Sequence, residues 1–221
     1  MAGQVWRMAT YPSRAARERA GVEAVAWDQG AMLTWHRLDD GVMGGRSETR
    51  ASATSAQALR FAGTINTEGG GFASVRAPLP RPLPRDATAL RVRYRGDGRT
   101  YKVLLSNGET AGGPFSSNPS WQHDLPTSAG EEEADAELPL RAFRPCIGGA
   151  VSARHAGTTL DAPAMRELGL MLSLYRSDGA PNETFARGAD STPTFDFDLE
   201  LRAIDVLVAS AEEPAASHGD G

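Results

Sequence analysis

Apolar and charged residues alternate in Leu90-Arg91-Val92-Arg93-Tyr94-Arg95 and again in Phe195-Asp196-Phe197-Asp198-Leu199-Glu200-Leu201-Arg202. A period of two sends successive side chains to opposite faces, so each run offers one apolar face to a core and one charged face to water. Such runs are half-buried strands. Residues 101–105 and 168–175 are more continuously apolar, as strands nearer the middle of a sandwich are. Further candidates are 32–38, 57–65, 72–76, 121–125 and 134–140, giving about ten strands and few helical patterns. The fold class expected is all-β: a sandwich with long connecting loops.

Glycine clusters punctuate these runs. Leu38-Asp39-Asp40-Gly41-Val42-Met43-Gly44-Gly45-Arg46-Ser47 and Gly69-Gly70-Gly71-Phe72-Ala73-Ser74-Val75-Arg76 place Gly44, Gly45, Gly70 and Gly71 where the chain must bend sharply or approach itself closely. Gly96 and Gly98 flank Asp97 between two alternating runs. An Asp-Gly pair in that setting predicts a hairpin, with strands 88–95 and 99–106 paired. Long connections at 77–86, 106–120, 144–164 and 176–193 are of the length that carries function or moves. A single domain fits the 221 residues. The expected division is an irregular lead-in or weak transit segment over 1–25, a β-sandwich over 26–208 and a disordered tail over 209–221.

A net charge of −5 argues against a phosphate-backbone partner, because nucleic-acid binding needs clustered Lys and Arg. Arg91, Arg93 and Arg95 read instead as the wet face of a sheet. The longest apolar run falls far short of the roughly 20 residues that cross a bilayer as a helix. Cys146 is the sole cysteine, so no intrachain disulfide forms, a reducing compartment is expected, and the sequon Asn182-Glu183-Thr184 is expected to stay unused. Arg7, Arg14, Arg17 and Arg19 opposed only by Glu18 faintly resemble a transit peptide without its serine richness.

Catalytic patterns are weak. Gly45-Arg46-Ser47-Glu48-Thr49 lacks the second glycine of an esterase elbow, and Gly96-Asp97-Gly98-Arg99-Thr100-Tyr101 fails the dinucleotide fingerprint at its last position. His36, His123, His155 and His218 show no metal-ligand spacing, so neither a metal nor another cofactor is expected. Asp39 and Asp40 are a carboxylate pair for acid–base work or Ca²⁺, or else an Asx-type turn opening the Val42–Gly45 corner. Asp97 has the same turn reading. Glu131-Glu132-Glu133 reads as a solvated loop. Trp121 is a core anchor or an aromatic contact for a ligand or partner.

Taken in order, these segments resemble the complex I intermediate-associated protein 30 family. The residues that carry the resemblance are Asp39-Asp40 with Val42-Met43-Gly44-Gly45 and Ser47; Phe61-Ala62-Gly63 with Gly70-Gly71-Phe72-Ala73-Ser74-Val75-Arg76; Arg95-Gly96-Asp97-Gly98-Arg99 with Tyr101; Leu138-Pro139-Leu140 with Phe143 and Pro145; Leu168-Gly169-Leu170-Met171; and Leu199-Glu200 with Ile204. The resemblance spans about 35–205. It implies a jelly-roll β-sandwich like that of galactose-binding domains. It also implies a non-catalytic role in assembling respiratory NADH:ubiquinone oxidoreductase, with protein subunits or intermediates of that complex as partners and the mitochondrion as location. A cytoplasmic location is the alternative.

The function expected is therefore a sandwich that holds a partly assembled protein partner, with Asp39, Asp40, Arg46, Asp97, Arg99 and Trp121 as candidate contacts. The competing expectation is a small-ligand or carbohydrate-binding module in which Trp121 or Tyr101 stacks on a sugar and Asp39, Asp97 or Arg99 bonds its hydroxyls. An enzyme stands third.

Overall fold

The computed structural model describes residues 22–27, 31–108, 118–130, 132–185 and 192–209. The N-terminal lead-in up to residue 21, most of the expected tail, and His218 lie outside the described residues. The strands are β1 (Val22–Trp27), β2 (Ala31–Arg37), β3 (Glu48–Ala53), β4 (Leu59–Asn66), β5 (Phe72–Pro78), β6 (Ala87–Arg95), β7 (Thr100–Ser106), β8 (Ser120–Pro126), β9 (Ala134–Pro139), β10 (Arg144–Ile147), β11 (Ala150–Val151), β12 (Glu167–Ser173) and β13 (Thr194–Val208). The helical segments among the described residues are single 3-10 turns.

The strands form two antiparallel sheets. The first runs β3-β4-β13-β6-β9, and the second β2-β5-β12-β7-β8-β10-β11. Strand β1 lies parallel to the C-terminal half of β13 and antiparallel to β2. Strand β2 pairs with β1 up to Trp35 and with β5 only through His36 and Arg37, so it crosses from one sheet to the other and makes the hydrogen-bonded path continuous around that corner.

Alternation dictates the core. Phe195, Phe197, Leu199 and Leu201 of β13 turn inward while the intervening acids stay at the surface. A register shift against β6 between Leu201 and Ala203 then moves the buried set to Ile204, as a bulge must when it adds one residue to a period of two. Phe61 of β4 meets Phe197 of the neighbouring β13 edge-on at 4.9 Å and, across the interface, Tyr101 of β7 at 6.1 Å, so one aromatic cluster joins the two layers.

The hairpin expectation is corrected. Strand β6 pairs with β13 and β9, and β7 pairs with β12 and β8, so the two strands belong to opposite sheets. The Gly96-Asp97-Gly98 bend carries the chain across the sandwich. An Asp-Gly pair specifies a tight reversal, and which strands pair afterwards is set by where their apolar faces can be buried. Four strands carry too little alternation to stand out in the sequence: β1, β3, β10 and β11. In β3 only Thr49 is buried, which suits an edge strand. Strand β1 begins at Val22, inside the stretch read as lead-in.

Candidate functional site

The aspartates singled out in the sequence hold the scaffold. Asp40 is fully buried; its carboxylate accepts hydrogen bonds from the Ser47 amide at 3.0 Å, the Ser47 hydroxyl at 2.7 Å, the Gly71 amide at 2.7 Å and the Phe72 amide at 3.4 Å. Gly45 and Gly70 wall this carboxylate so closely that a Cβ on either would overlap it. Asp39, half-buried beside it, accepts from the Thr49 amide at 3.1 Å, from the Thr49 hydroxyl and from the Ser74 amide at 3.4 Å. Burial pushes the Asp39 carboxyl above the ordinary aspartate range, against the pull of these hydrogen bonds. The two side chains clamp segments far apart in sequence instead of making a local turn, and Asp40 offers no surface to a partner.

Asp97 accepts hydrogen bonds from the Arg99 amide at 3.1 Å, the Tyr101 hydroxyl at 3.0 Å and the Asp198 amide at 3.0 Å, tying the inter-sheet bend to β7 and β13. Burial, then the Asp97 charge, holds the Tyr101 phenol well above the ordinary tyrosine value. Arg99 donates to the Thr184 and Asp196 carbonyls at 2.9 and 3.0 Å and lies 4.4 Å from the Phe195 ring centre. Gly44 and Gly98 adopt φ of +90° and +89°, Gly71 has φ of +142°, and Gly96 packs against Thr127. Tyr101 is fully buried and Trp121 is 7% exposed, both within the core, so neither presents a ring for stacking on a sugar. Arg46 is the exposed member of the set, 3.7 Å from Glu68 in a solvated pair. The structure thus joins Asp39 with Asp40, and Asp97 with Arg99, and leaves Arg46 and Trp121 apart from both pairs.

A different constellation is the richest in chemistry. The outer face of the second sheet, opposite the core, carries His36, Ser74, Arg76, Lys102, Ser106, Ser120, Gln122 and Glu167, each under 8% exposed. Pairing register sets them in rows across the strands: His36–Arg76–Gly169–Leu104–Gln122–Arg144, and beside it Ser74–Met171–Lys102–Asp124. Arg76 donates to Ser74 at 3.1 Å and stands 4.0 Å from Glu167, which accepts from Ser106 at 3.3 Å. Gly169 leaves room for the Arg76 side chain, since an added Cβ would sit 2.6 Å from Arg76 Cδ. Ser120 Oγ and Gln122 Oε1 are buried without a hydrogen-bond partner among the described residues. Cys146 lies at the edge of this face; burial pushes its thiol up to about 11, so it stays protonated at neutral pH.

Lys102 is 3% exposed, and burial lowers its ammonium to about 8 despite the nearby Asp124. At pH 7 the folded chain therefore keeps a charge that water would solvate better. Lys102→Met is expected to be more stable than the parent at pH 7, by up to about 3 kcal/mol. Because the folded value, about 8, lies below the ordinary 10.5, the parent regains stability as pH rises through that window, and the gap closes toward pH 10.5. Chemical denaturation at pH 7 and pH 10 measures this, and a gap that stays constant contradicts it.

Sequence reasoning missed this face. Residues 101–105 read as plain apolar core, although Lys102 and Ser106 share one side of the strand and Ser120, Gln122 and Asp124 alternate on the next. That polar alternation was the available signal. Among the described residues no group of three or more His, Cys, Asp and Glu side chains could hold a metal ion, and no helix is long and apolar enough to cross a membrane.

Two facing antiparallel sheets around an aromatic core define the class: a jelly-roll β-sandwich, galactose-binding-like, as in carbohydrate-binding modules. The family 11 carbohydrate-binding module of cellulosomal cellulase Lic26A-Cel5E of Clostridium thermocellum is similar with a TM-score of 0.53 and 13% identity, over 86% of this chain and 98% of that one. A solution structure of CtCBM11 gives a TM-score of 0.50 and 14% identity, over 83% of this chain and 94% of that one. At such identities the likeness is one of fold. The family is narrower: residues 26–201 match complex I intermediate-associated protein 30 (CIA30), and the chain belongs to that family. Comparison with curated proteins returns no match.

Proposed function

We propose that this chain is a non-catalytic assembly factor that holds partly built intermediates of respiratory NADH:ubiquinone oxidoreductase and releases them as later subunits arrive. The observation that carries this reading is the family match over residues 26–201, most of the chain. Such a factor covers apolar surface on an intermediate, so it needs moderate affinity and reversible contact. The exposed Arg46 corner is the contact proposed from the residues first singled out, with the buried aspartates shaping it from behind. The proposed location is mitochondrial, with the cytoplasm as the alternative. The working division of the chain is one sandwich that begins with β1 at Val22 and runs to 208, between a lead-in and a tail. Affinity purification of the endogenous protein from respiring cells is expected to return subunits of the complex, and repeated recovery of none would count against the reading.

A second reading is a small-ligand module, of the carbohydrate-binding kind that the structural neighbours are named for. The buried polar face of the second sheet favours it, because a role confined to protein docking gives no reason to bury Lys102, Ser120 and Gln122 together.

A further inference from the structure

We infer that the groove between the end of β9 and residues 159–163, in the connection from β11 to β12, is an anchor site for a partner protein and takes an acidic side chain flanked by apolar ones. This rests on the assembly-factor reading above and gives it a second contact surface. The groove has a volume of about 420 Å³, inside the range of about 300–1,000 Å³ usual for ligand pockets. Antiparallel pairing sets Ala89 of β6 opposite Pro139 of β9. Arg85, just before β6, and Arg141, just after β9, therefore lie at the same end of the first sheet and line the groove together.

Charge and apolar surface are divided within it. Leu140 and Ala162 belong to the core and Leu160 packs against it, so the floor is apolar. Arg85 and Arg141 are exposed, and neither guanidinium has a hydrogen bond or ion pair among the described residues. Elsewhere on the same sheet Arg60, Arg93, Arg95 and Arg202 each stand within 3.7 Å of a carboxylate. Asp161 is the one carboxylate in the lining, which leaves a net charge of +1 there (two Arg, one Asp) in a chain of −5. A guanidinium presents its donors as a planar fork that fits a carboxylate bidentately. An aspartate or glutamate beside a leucine or valine satisfies both parts of the groove at once.

Two features favour a protein segment over a free carboxylate of metabolite size. Val208 is 49% exposed and pairs with Ala87 of the lining, so apolar surface continues beyond the groove. Strand β9 has β6 as its sole ladder partner among the described residues, which leaves its outer edge open to an added strand where the groove begins. Asp135 and Glu137 on β9 disfavour acids along that edge, which places the partner's acidic residue at the groove. The groove is smaller than a whole interface and serves as its anchor.

Fluorescence anisotropy on the full chain tests this with labelled hexapeptides that combine Leu, Val or Phe with one Asp or Glu, and with their Asn and Gln counterparts. Unlabelled succinate, citrate and inorganic phosphate serve as competitors. At least one acidic peptide is expected to bind saturably. Its affinity is expected to fall about tenfold or more on acid-to-amide replacement and in the Arg85→Glu, Arg141→Glu double variant, and several-fold in Arg85→Ala or Arg141→Ala alone. Raising salt from about 50 to about 500 mM is expected to weaken it as well. Arg50→Ala, on the opposite edge strand β3, is expected to change nothing. These variants replace exposed side chains, so each is expected to melt with the parent, which thermal unfolding checks. Binding unchanged in the double variant, amide peptides bound as well as acidic ones, or no peptide bound at all would overturn the site. Succinate, citrate or phosphate competing at the peptide's own affinity would overturn the protein occupant. Purification from respiring cells with the parent and the double variant separates this site from the reading beneath it. The double variant is expected to recover several-fold less of the complex; equal yields would remove the groove and leave the assembly reading standing, whereas no subunits from the parent would remove the assembly reading, on which the partner named here depends.

Discussion

Asp40→Ala is expected to lower the stability of the fold by about 3–5 kcal/mol, and Asp40→Asn by about 2–3 kcal/mol. The carboxylate is fully buried and receives four hydrogen bonds from Ser47, Gly71 and Phe72. Alanine leaves those donors facing a dry gap, and each buried unpaired donor carries its full desolvation cost. Asparagine keeps the shape but turns one acceptor oxygen into an amide nitrogen that must face an N–H or a hydroxyl. Asp40→Glu gives no escape, because Gly45 and Gly70 already touch the carboxyl and the extra methylene has nowhere to go. Gly70→Ala approaches the same clamp from the other side and is expected to destabilise comparably. Urea denaturation measures all four variants, with the slope checked so that a change in midpoint reads as stability. An Asp40→Asn variant within 0.5 kcal/mol of the parent would be the contrary result.

Local chemistry was legible in the sequence, and register was not. Period-two alternation located β6 and β13 and the inward row Phe195, Phe197, Leu199 and Leu201, because a half-buried strand writes its two faces directly into the chain. The bulge that moves this row to Ile204 leaves no mark, since it depends on the partner strand. Asp97 reads correctly as a bend residue, yet the strands on either side enter different sheets, a matter of which apolar faces meet. Gly45 and Gly70 stood out as corner residues, but their reason, a carboxylate from a residue 30 positions earlier than Gly70, appears only once the chain is folded. The polar face of the second sheet was hardest to see. Its members come from β2, β5, β7, β8 and β12, each contributing one to three residues, and only pairing brings His36, Arg76 and Gln122 into one row.

Gly63→Ala is expected to cost about 3 kcal/mol and to loosen one edge of the first sheet selectively. Gly63 belongs to the inward row of β4 with Phe61 and Ile65, and it pairs with Thr49 of β3 on one side and Phe197 of β13 on the other. A Cβ there would overlap the Glu48 carbonyl oxygen and lie 3.0 Å from Phe197 Cε1. A side chain could rotate aside, but a carbonyl in a ladder can move only with its strand, and Phe197 is held by its edge-on contact with Phe61. Relief must therefore come from β3, which among the described residues has β4 as its sole ladder partner and buries only Thr49. Amide hydrogen exchange is expected to speed up across 48–53 while β6 and β13 keep their protection. Gly41→Ala supplies the control: a Cβ at Gly41 meets nothing within 4 Å, so that variant is expected to stay within about 0.5 kcal/mol of the parent. Equal stability of the Gly63 and Gly41 variants would mean that β3 does not approach β4 as closely as this register requires.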